Sequence, residues 1–366
     1  MVMEQKIRIT PLIPERVRKG PVIIAGPCSA ESEEQVLATA IALQKEGRTD
    51  LFRAGVWKPR TRPGSFEGAG EEALPWLNSV QEHTGLKVAI EIANPEHAEK
   101  ALKAGIRYFW IGARTVVSPF SVQEIANALG GIDVAVMVKN PVNPDINLWI
   151  GALERLNKSG ITRLAAIHRG FSHFESAPLR NKPIWELPIT LKRLIPELPV
   201  FTDPSHICGA TNFIREIAQK ALDLEMNGLM IETHINPAVA LTDAKQQITP
   251  SELSNLLTSL SIRSSCGHAS FDNTLRQWRE LIDEKDDELL NTLSSRFAAI
   301  NEIGKLKKEN NVTILQLERW KNIVDSRMQD AEKFGINPTF MKRLLNLIHE
   351  ESIRIQEQIL NNENKI

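Results

Sequence analysis

Chemistry-bearing side chains recur in this chain just past short apolar runs. The runs are PVIIA (21–25), DLFRA (50–54), KVAIEI (87–92), RYFWIG (107–112), VAVMV (134–138), RLAAIH (163–168), LPVFT (198–202) and GLMIE (228–232). In or beyond them stand Cys28, Arg53 and Lys58, Glu91, Arg114, Lys139, His168 and Arg169, Asp203 and His206, and Glu232 and His234. Long cationic side chains converging on one place repel each other unless anions lie between them. Arg grips phosphate or carboxylate through two donors, and Lys acts as a point charge. The set therefore points to a ligand carrying more than one anionic group, phosphate and carboxylate together.

The remaining members form a second set: Cys28, His206, Glu232 and, in LTDAKQ, Asp243. A thiolate, an imidazole and two carboxylates suit a divalent ion of borderline softness, and Mn, Fe, Zn and Co all fit. Their spacing is no local metal motif. Taken alone, a cysteine such as Cys28 is more often a small buried apolar residue, with a nucleophile or half of a disulfide as the other readings.

Eight short strands separated by helical stretches such as EEQVLATAIALQKEG are what would position these residues. That spacing predicts an α/β fold, a (β/α)8 barrel over residues 1–255, with its site at the C-terminal strand ends; an open sheet is the alternative. Residues 256–272, rich in Ser and Gly, read as a linker. From 273 to 366 the period is helical: Leu275, Trp278, Ile282, Leu289, Leu293, Phe297, Ile300 and Ile303 mark one face of a long helix. A second helix is expected over 314–333, closed by Gly335, and a third from Asn337 and Pro338. The expectation is a small all-α unit of three helices.

The bulk numbers agree with an ordinary folded protein: 366 residues, 42% hydrophobic and 24% charged, with a net charge of -1. That charge gives no reason to expect nucleic acid or a membrane surface as partner. With three scattered cysteines and no signal-peptide pattern, a reducing, cytoplasmic setting is expected.

The ordered motifs AGPCSAE, FRAGVWKPRTRPGSFEGAG, IGAR, VKNP, HRG, FTDPSH, GLMIETH and LTDAKQ, spread over residues 21–247, resemble the type I DAHP synthases. These belong to the subclass related to the KDO8P synthases. The resemblance implies a metal-dependent condensation of phosphoenolpyruvate with erythrose 4-phosphate, the entry step to aromatic biosynthesis. It implies Cys28, His206, Glu232 and Asp243 as metal ligands. Phosphoenolpyruvate would lie among Arg53, Lys58, Arg114, Lys139 and Arg169, and erythrose 4-phosphate would face Arg60, Thr61 and Asp203. KPRT at 58–61 favours the four-carbon sugar over the KDO8P synthases' substrate. His168 stands where close relatives more often have Glu. Some relatives carry a regulatory domain before the barrel, and only 20 residues precede the first run here.

In the tail, Arg296 and Lys307 are eleven residues apart, so they share a helix face about 16 Å apart. Arg279 is about 25 Å from Arg296 along the same helix, so a ligand touching both would need Arg279 from another chain. RELIDEKDDELL, EIGKLKK and EESIRIQ resemble the all-helical chorismate mutases, which form intertwined dimers. That resemblance implies conversion of chorismate to prephenate by Arg279, Arg296, Lys307, Arg319, Ser352 and Gln356, in a homodimer or larger assembly. Gln316 and Trp320 replace acidic residues found in some relatives. The expected protein is thus bifunctional, with small-molecule substrates and with feedback on the barrel through the helical unit. A tail that only senses chorismate or prephenate and dimerises is the alternative.

Overall fold

A computed structural model describes residues 7–58, 66–173, 178–263 and 269–361, without the side chains of 269 and 270. The chain divides into two compact units, Met1–Ser265 and Cys266–Ile366.

The first unit is a closed parallel barrel. Its strands are β1 (Val22–Gly26), β2 (Leu51–Ala54), β3 (Lys87–Ile92), β4 (Tyr108–Ile111), β5 (Ala135–Lys139), β6 (Arg163–His168), β7 (Val200–Thr202) and β8 (Gly228–Glu232). All eight expected strands are present, each within two residues of the expected bounds. The barrel helices are α1 (Glu33–Glu46), α2 (Ala73–Thr84), α3 (Pro95–Lys103), α4 (Pro119–Leu129), α5 (Ile146–Lys158) and α6 (Glu186–Leu194). They continue with α7 (Pro204–Cys208), α8 (Ile214–Asp223) and α9 (Pro250–Ser259).

Strand side chains alternate between two cores. Ile24, Leu51, Ala89, Tyr108, Trp110, Met137, Ile167, Phe201 and Met230 fill the barrel interior. Their neighbours Ile23, Phe52, Val88, Phe109, Val136, Ala166 and Leu229 pack outward with the helices. Leu12, from the segment before β1, joins the inner core, and Arg163 at the start of β6 donates to its carbonyl. That residue closes the N-terminal end of the barrel.

Closure sets the register that matters. β1 pairs with β8 so that Gly26 lies opposite Glu232. Gly26 has φ of +147°, and a Cβ there would stand 2.1 Å from the Arg53 carbonyl oxygen. Only glycine lets the end of β1 lie this close to the β2 backbone.

The expected linker starts too early and ends too late. Helix α9 runs through it to Ser259, begun by a Thr249–Glu252 capping box and anchored by buried Leu253. Residues 269–272 already belong to the next helix.

The second unit has three helices among the described residues: α10 (Ala269–Glu309), α11 (Leu317–Lys333) and α12 (Pro338–Asn361). Asn337 caps α12 by accepting from the Phe340 N–H at 3.0 Å. α10 and α12 approach closely at Gly304, where a Cβ would lie 2.7 Å from Ile359 Cδ1. Toward the N-terminus of α10, Trp278, Ile282, Leu289 and Leu290 are exposed. The segment is long, apolar on one face and uncovered within its own unit.

Gly26→Ala should destabilise the barrel by about 2–4 kcal/mol, because backbone rather than a flexible side chain must give way. A shift of the denaturant midpoint measures this; an unchanged midpoint would show that β1 can move off β2 freely.

Candidate active sites

The inward parity of each strand continues past its end into the site. Ile24 leads through Gly26 to Cys28, Leu51 to Arg53, Met137 to Lys139, Ile167 to Arg169, Phe201 to Asp203 and Met230 to Glu232. By the same count His168 points outward. It is buried, its Nε2 meets the Pro183 carbonyl, and its ring lies 4.8 Å from that of Trp185. Burial brings its pKa down to about 4. His168 is a neutral packing group behind the site.

Donor atoms of Cys28, Glu232 and Asp243 lie within 4.8 Å of one another. Asp243 occupies a left-handed backbone position (φ 45°), which turns its loop back over the barrel mouth. Side chains from both loops hold it there. Gln247 accepts from the Cys28 N–H at 2.9 Å and donates to the Thr242 carbonyl, while Ser29 and Thr242 hydroxyls meet at 2.5 Å. Glu31 accepts from Ser29 and from the Leu241 N–H. His206 stands at the edge of the cluster. Its Nδ1 is 2.7 Å from Asp203 and its Nε2 is 3.8 Å from Glu232.

The electrostatics of this cluster suit a cation. Burial, with Glu232 next, pushes the Cys28 thiol up to about 12. Burial also resists ionisation of Glu232, but His206, Arg53 and Lys58 outweigh it and bring the carboxyl down to about 2. Oε1 of Glu232 is buried and accepts no hydrogen bond, although Arg53 approaches it at 3.2 Å. Burial depresses the pKa of His206, which favours the neutral, ligating imidazole. A protonated thiol beside two carboxylates, one with an oxygen unsatisfied, is a donor set that a divalent ion fits. The residues that would hold it are Cys28, Glu232 and Asp243, with His206 beside them.

Next to the cluster opens a cleft of about 410 Å³ bordered by Lys58, Arg114, Lys139, Arg169 and Arg180. Four of the five cations expected for phosphoenolpyruvate border it. The fifth, Arg53, lies beneath at 1% exposure, paired with Glu232 and 5.0 Å from the Trp110 ring. Asp203 is also buried, and its carboxylate backs Lys139 at 3.1 Å. Burial resists its ionisation, yet His206 and Lys139 hold it well below the usual carboxylate range. Lys58 Nζ lies 3.2 Å from Cys28 Sγ. Arg169 donates to Asn181 at 2.9 Å. Arg60 and Thr61 lie outside the described residues.

Strand-end reasoning missed Arg180, Asn181 and Gln246. Asn181 and Arg180 sit in the β6–α6 loop, away from any strand end, and Gln246 is uncharged although it lies in LTDAKQ. Gln246 Nε2 donates to Glu232 Oε2 at 2.6 Å.

In the helical unit, Arg296 donates to the Ser352 hydroxyl at 2.8 Å. Gln356 bonds the Ser352 carbonyl through Nε2, while its buried Oε1 has no partner. Lys307 donates to the Ile314 carbonyl. Arg319 and Gln316 are exposed near the start of α11, where Trp320 stacks on His349 at 3.8 Å. Arg279 is exposed on the same unbroken helix as Arg296, so the two do not meet within one chain.

Residues 16–264 match the model of the DAHP synthetase I family, and residues 278–357 match that of chorismate mutase type II. The phospho-2-dehydro-3-deoxyheptonate aldolase of Thermotoga maritima is 30% identical over 226 residues. That match covers 62% of this chain and 64% of the relative, slightly less than two thirds of its length. A 2-dehydro-3-deoxyphosphooctonate aldolase of Helicobacter pylori is 26% identical, covering 66% of this chain and 94% of the relative. The crystal structure of the Thermotoga maritima phospho-2-dehydro-3-deoxyheptonate aldolase superposes with a TM-score of 0.59 at 28% identity, covering 65% of this chain and 67% of that one.

Because the Cys28 thiol is protonated near neutrality, binding of Mn²⁺ to metal-free protein at pH 8 should release about one proton per site. Calorimetry in buffers of different ionisation enthalpy reads this, and Cys28→Ser should abolish it. Identical enthalpies across buffers for the unsubstituted protein would remove Cys28 from the donor set.

Proposed function

The chain belongs to the DAHP synthetase I family, and from that premise we propose a bifunctional enzyme of aromatic biosynthesis. The barrel condenses phosphoenolpyruvate with erythrose 4-phosphate, and the helical unit rearranges chorismate to prephenate. The observation that carries the first reading is the convergence of Lys58, Arg114, Lys139 and Arg169 on one cleft beside the Cys28–Glu232–Asp243 cluster.

In the barrel reaction, C3 of phosphoenolpyruvate bonds to the aldehyde carbon, water adds at C2, and phosphate leaves with C–O cleavage. A divalent ion held by the donor cluster supplies Lewis acidity. The protein's own groups do the rest. Arg114 and Arg169 grip the phosphate and carboxylate of phosphoenolpyruvate, and Asn181 aims the Arg169 guanidinium. Lys139 is held in place by Asp203 and lies 5.8 Å from the Trp110 ring, so its charge is fixed before substrate arrives. Lys58, between Cys28 and the cleft, offsets negative charge developing on the aldehyde oxygen. Arg60 and Thr61 stand two and three residues after Lys58 and are assigned to erythrose 4-phosphate by their motif.

The assay that tests this is consumption of phosphoenolpyruvate with erythrose 4-phosphate or arabinose 5-phosphate, before and after EDTA. Erythrose 4-phosphate should be used at least tenfold faster, with activity lost on chelation and restored by Mn²⁺. A preference for arabinose 5-phosphate would transfer the barrel to the chemistry named for the Helicobacter relative, and full activity in EDTA would remove the metal.

In the helical unit, Arg296 and Arg319 would take the substrate carboxylates, while Lys307 and Gln356 address the ether oxygen where charge develops. Ser352 orients Arg296. Arg279 comes from a second copy, and the exposed Trp278, Ile282, Leu289 and Leu290 are the face that a dimer covers. Among the described residues, no helix is long and apolar enough to cross a membrane. The three scattered cysteines are what lead us to assign the enzyme to the cytoplasm. Chorismate or prephenate bound to this unit is proposed to lower the barrel rate.

Arg279→Ala and Arg296→Ala proteins should each lose chorismate consumption by about 100-fold or more. Unfolded and refolded together, they should regain activity, because mixed dimers contain one intact site. No recovery would place both arginines in one chain. Arg296→Ala should also blunt inhibition of the barrel by prephenate; unchanged inhibition would locate that effect elsewhere.

A further inference from the structure

Arg180 differs from the other cleft cations in what holds it. Its NH1 lies 2.9 Å from Gln246 Oε1 and 3.3 Å from Asp243 Oδ1. Gln246, 1% exposed, passes the contact on, donating through Nε2 to Glu232 Oε2 at 2.6 Å and reaching Asp243 Oδ2 at 3.4 Å. One guanidinium on the cleft wall is therefore bonded, directly or through one carboxamide, to both carboxylates of the donor cluster.

Its backbone is anchored while its head is not buried. The Arg180 N–H donates to the Cys208 carbonyl, and Gly209 (φ +69°) leaves room for the arginine stem, which a Cβ there would strike at 2.6 Å. Next to it, Asn181 ties Arg169 to the His206 carbonyl. The side chain remains 46% exposed to the cleft. A long arm with a fixed root can exchange one partner for another without disturbing its loop.

Two positively charged ligands compete for Asp243 in this arrangement: the Arg180 guanidinium and a divalent ion in the cluster. A phosphate group in the cleft offers Arg180 a stronger, two-donor partner than one carboxylate oxygen at 3.3 Å. We infer that Arg180, through Asp243 and Gln246, links anion occupancy of the cleft to cation affinity of the donor cluster. With the cleft empty, Arg180 opposes the cation. With a phosphate-bearing ligand present, it turns to the anion and releases Asp243, and by linkage the cation raises anion affinity by the same factor. This rests on the reading of Cys28, Glu232 and Asp243 as a metal site.

The test is equilibrium binding of Mn²⁺ to the metal-free full-length protein, followed by the electron paramagnetic resonance signal of free Mn²⁺. Titrations are run alone, with phosphoenolpyruvate and with inorganic phosphate. For the unsubstituted protein, phosphoenolpyruvate should tighten Mn²⁺ binding about tenfold. Arg180→Gln should bind Mn²⁺ alone about tenfold tighter, and phosphoenolpyruvate should then add less than threefold. Arg180→Lys, which keeps the charge, should retain weak binding in the absence of anion. Inorganic phosphate tightening Mn²⁺ binding as much as phosphoenolpyruvate would assign the link to the phosphate group alone and supports it. If the unsubstituted protein responds to phosphoenolpyruvate and Arg180→Gln matches it in both titrations, the linkage is wrong while the metal site stands. If the unsubstituted protein binds no Mn²⁺, the metal-site reading fails and takes the linkage with it.

Discussion

The Arg53–Glu232 ion pair lies where the barrel interior gives way to the candidate active site, and much of that site is organised around it. Both side chains are almost wholly removed from water. Burial works against the charge of Arg53, yet Glu232 keeps the guanidinium ionised. Taking two such ions out of water costs several kcal/mol each, and their attraction does not reliably repay it. An apolar pair would serve stability as well. What the ions provide is a fixed negative oxygen at the floor of the cleft, beside Cys28, His206 and Gln246, with the opposing charge built into the wall. Arg53 also donates to the Cys28 carbonyl at 3.2 Å, so one guanidinium positions two of the three clustered donors.

This pair requires the barrel beneath it. Glu232 faces inward by the parity of β8 and is brought opposite Gly26 by the β1–β8 register, and the Arg53 backbone lies so close to Gly26 only because that residue has no side chain. Trp110 and Phe201 fill the interior immediately below, which makes the floor dry and raises the strength of each electrostatic contact above it. The charged layer is therefore continuous with the apolar one. It occupies the next inward positions of the same strands, and the change from Met, Ile and Phe to Glu, Arg and Asp marks where packing ends and chemistry begins.

That continuity explains what could be read from the residues alone. The eight strands were legible because short apolar runs alternate with helical ones, and Cys28, Lys139, Arg169 and Glu232 were legible because each directly extends a strand. Parity along β6 also separates Arg169 from His168, a distinction that proximity to the strand end conceals. Arg180, Asn181 and Gln246 were not legible. Arg180 and Gln246 act through contacts between the β6–α6 loop and the loop after β8, and Asn181 through contacts with Arg169 and His206; separations of up to more than 60 residues leave no periodic trace. The α9 helix was hidden for a different reason. Its Ser and Thr content resembles a linker, and only docking of Leu253 and the capping box at Thr249 turn that segment into barrel structure.

The two units solve the same electrostatic problem by different means. In the barrel, strands from all around a closed ring bring cations of one chain to one mouth. A helix places residues on a line, 1.5 Å apart per residue, and can bring distant positions together only by folding back. α12 folds back far enough to set Ser352 and Gln356 against Arg296, but nothing within the described residues returns Arg279 to that point. The buried Oε1 of Gln356 has no hydrogen-bond partner where these groups meet. In the proposed dimer a second copy would complete such a site, and the apolar face that α10 leaves exposed around Trp278 and Leu290 would give that copy its footing. Assembly and catalysis in the proposed dimer would then draw on the same helix: the stripe joining the copies would be the one that carries Arg279 across.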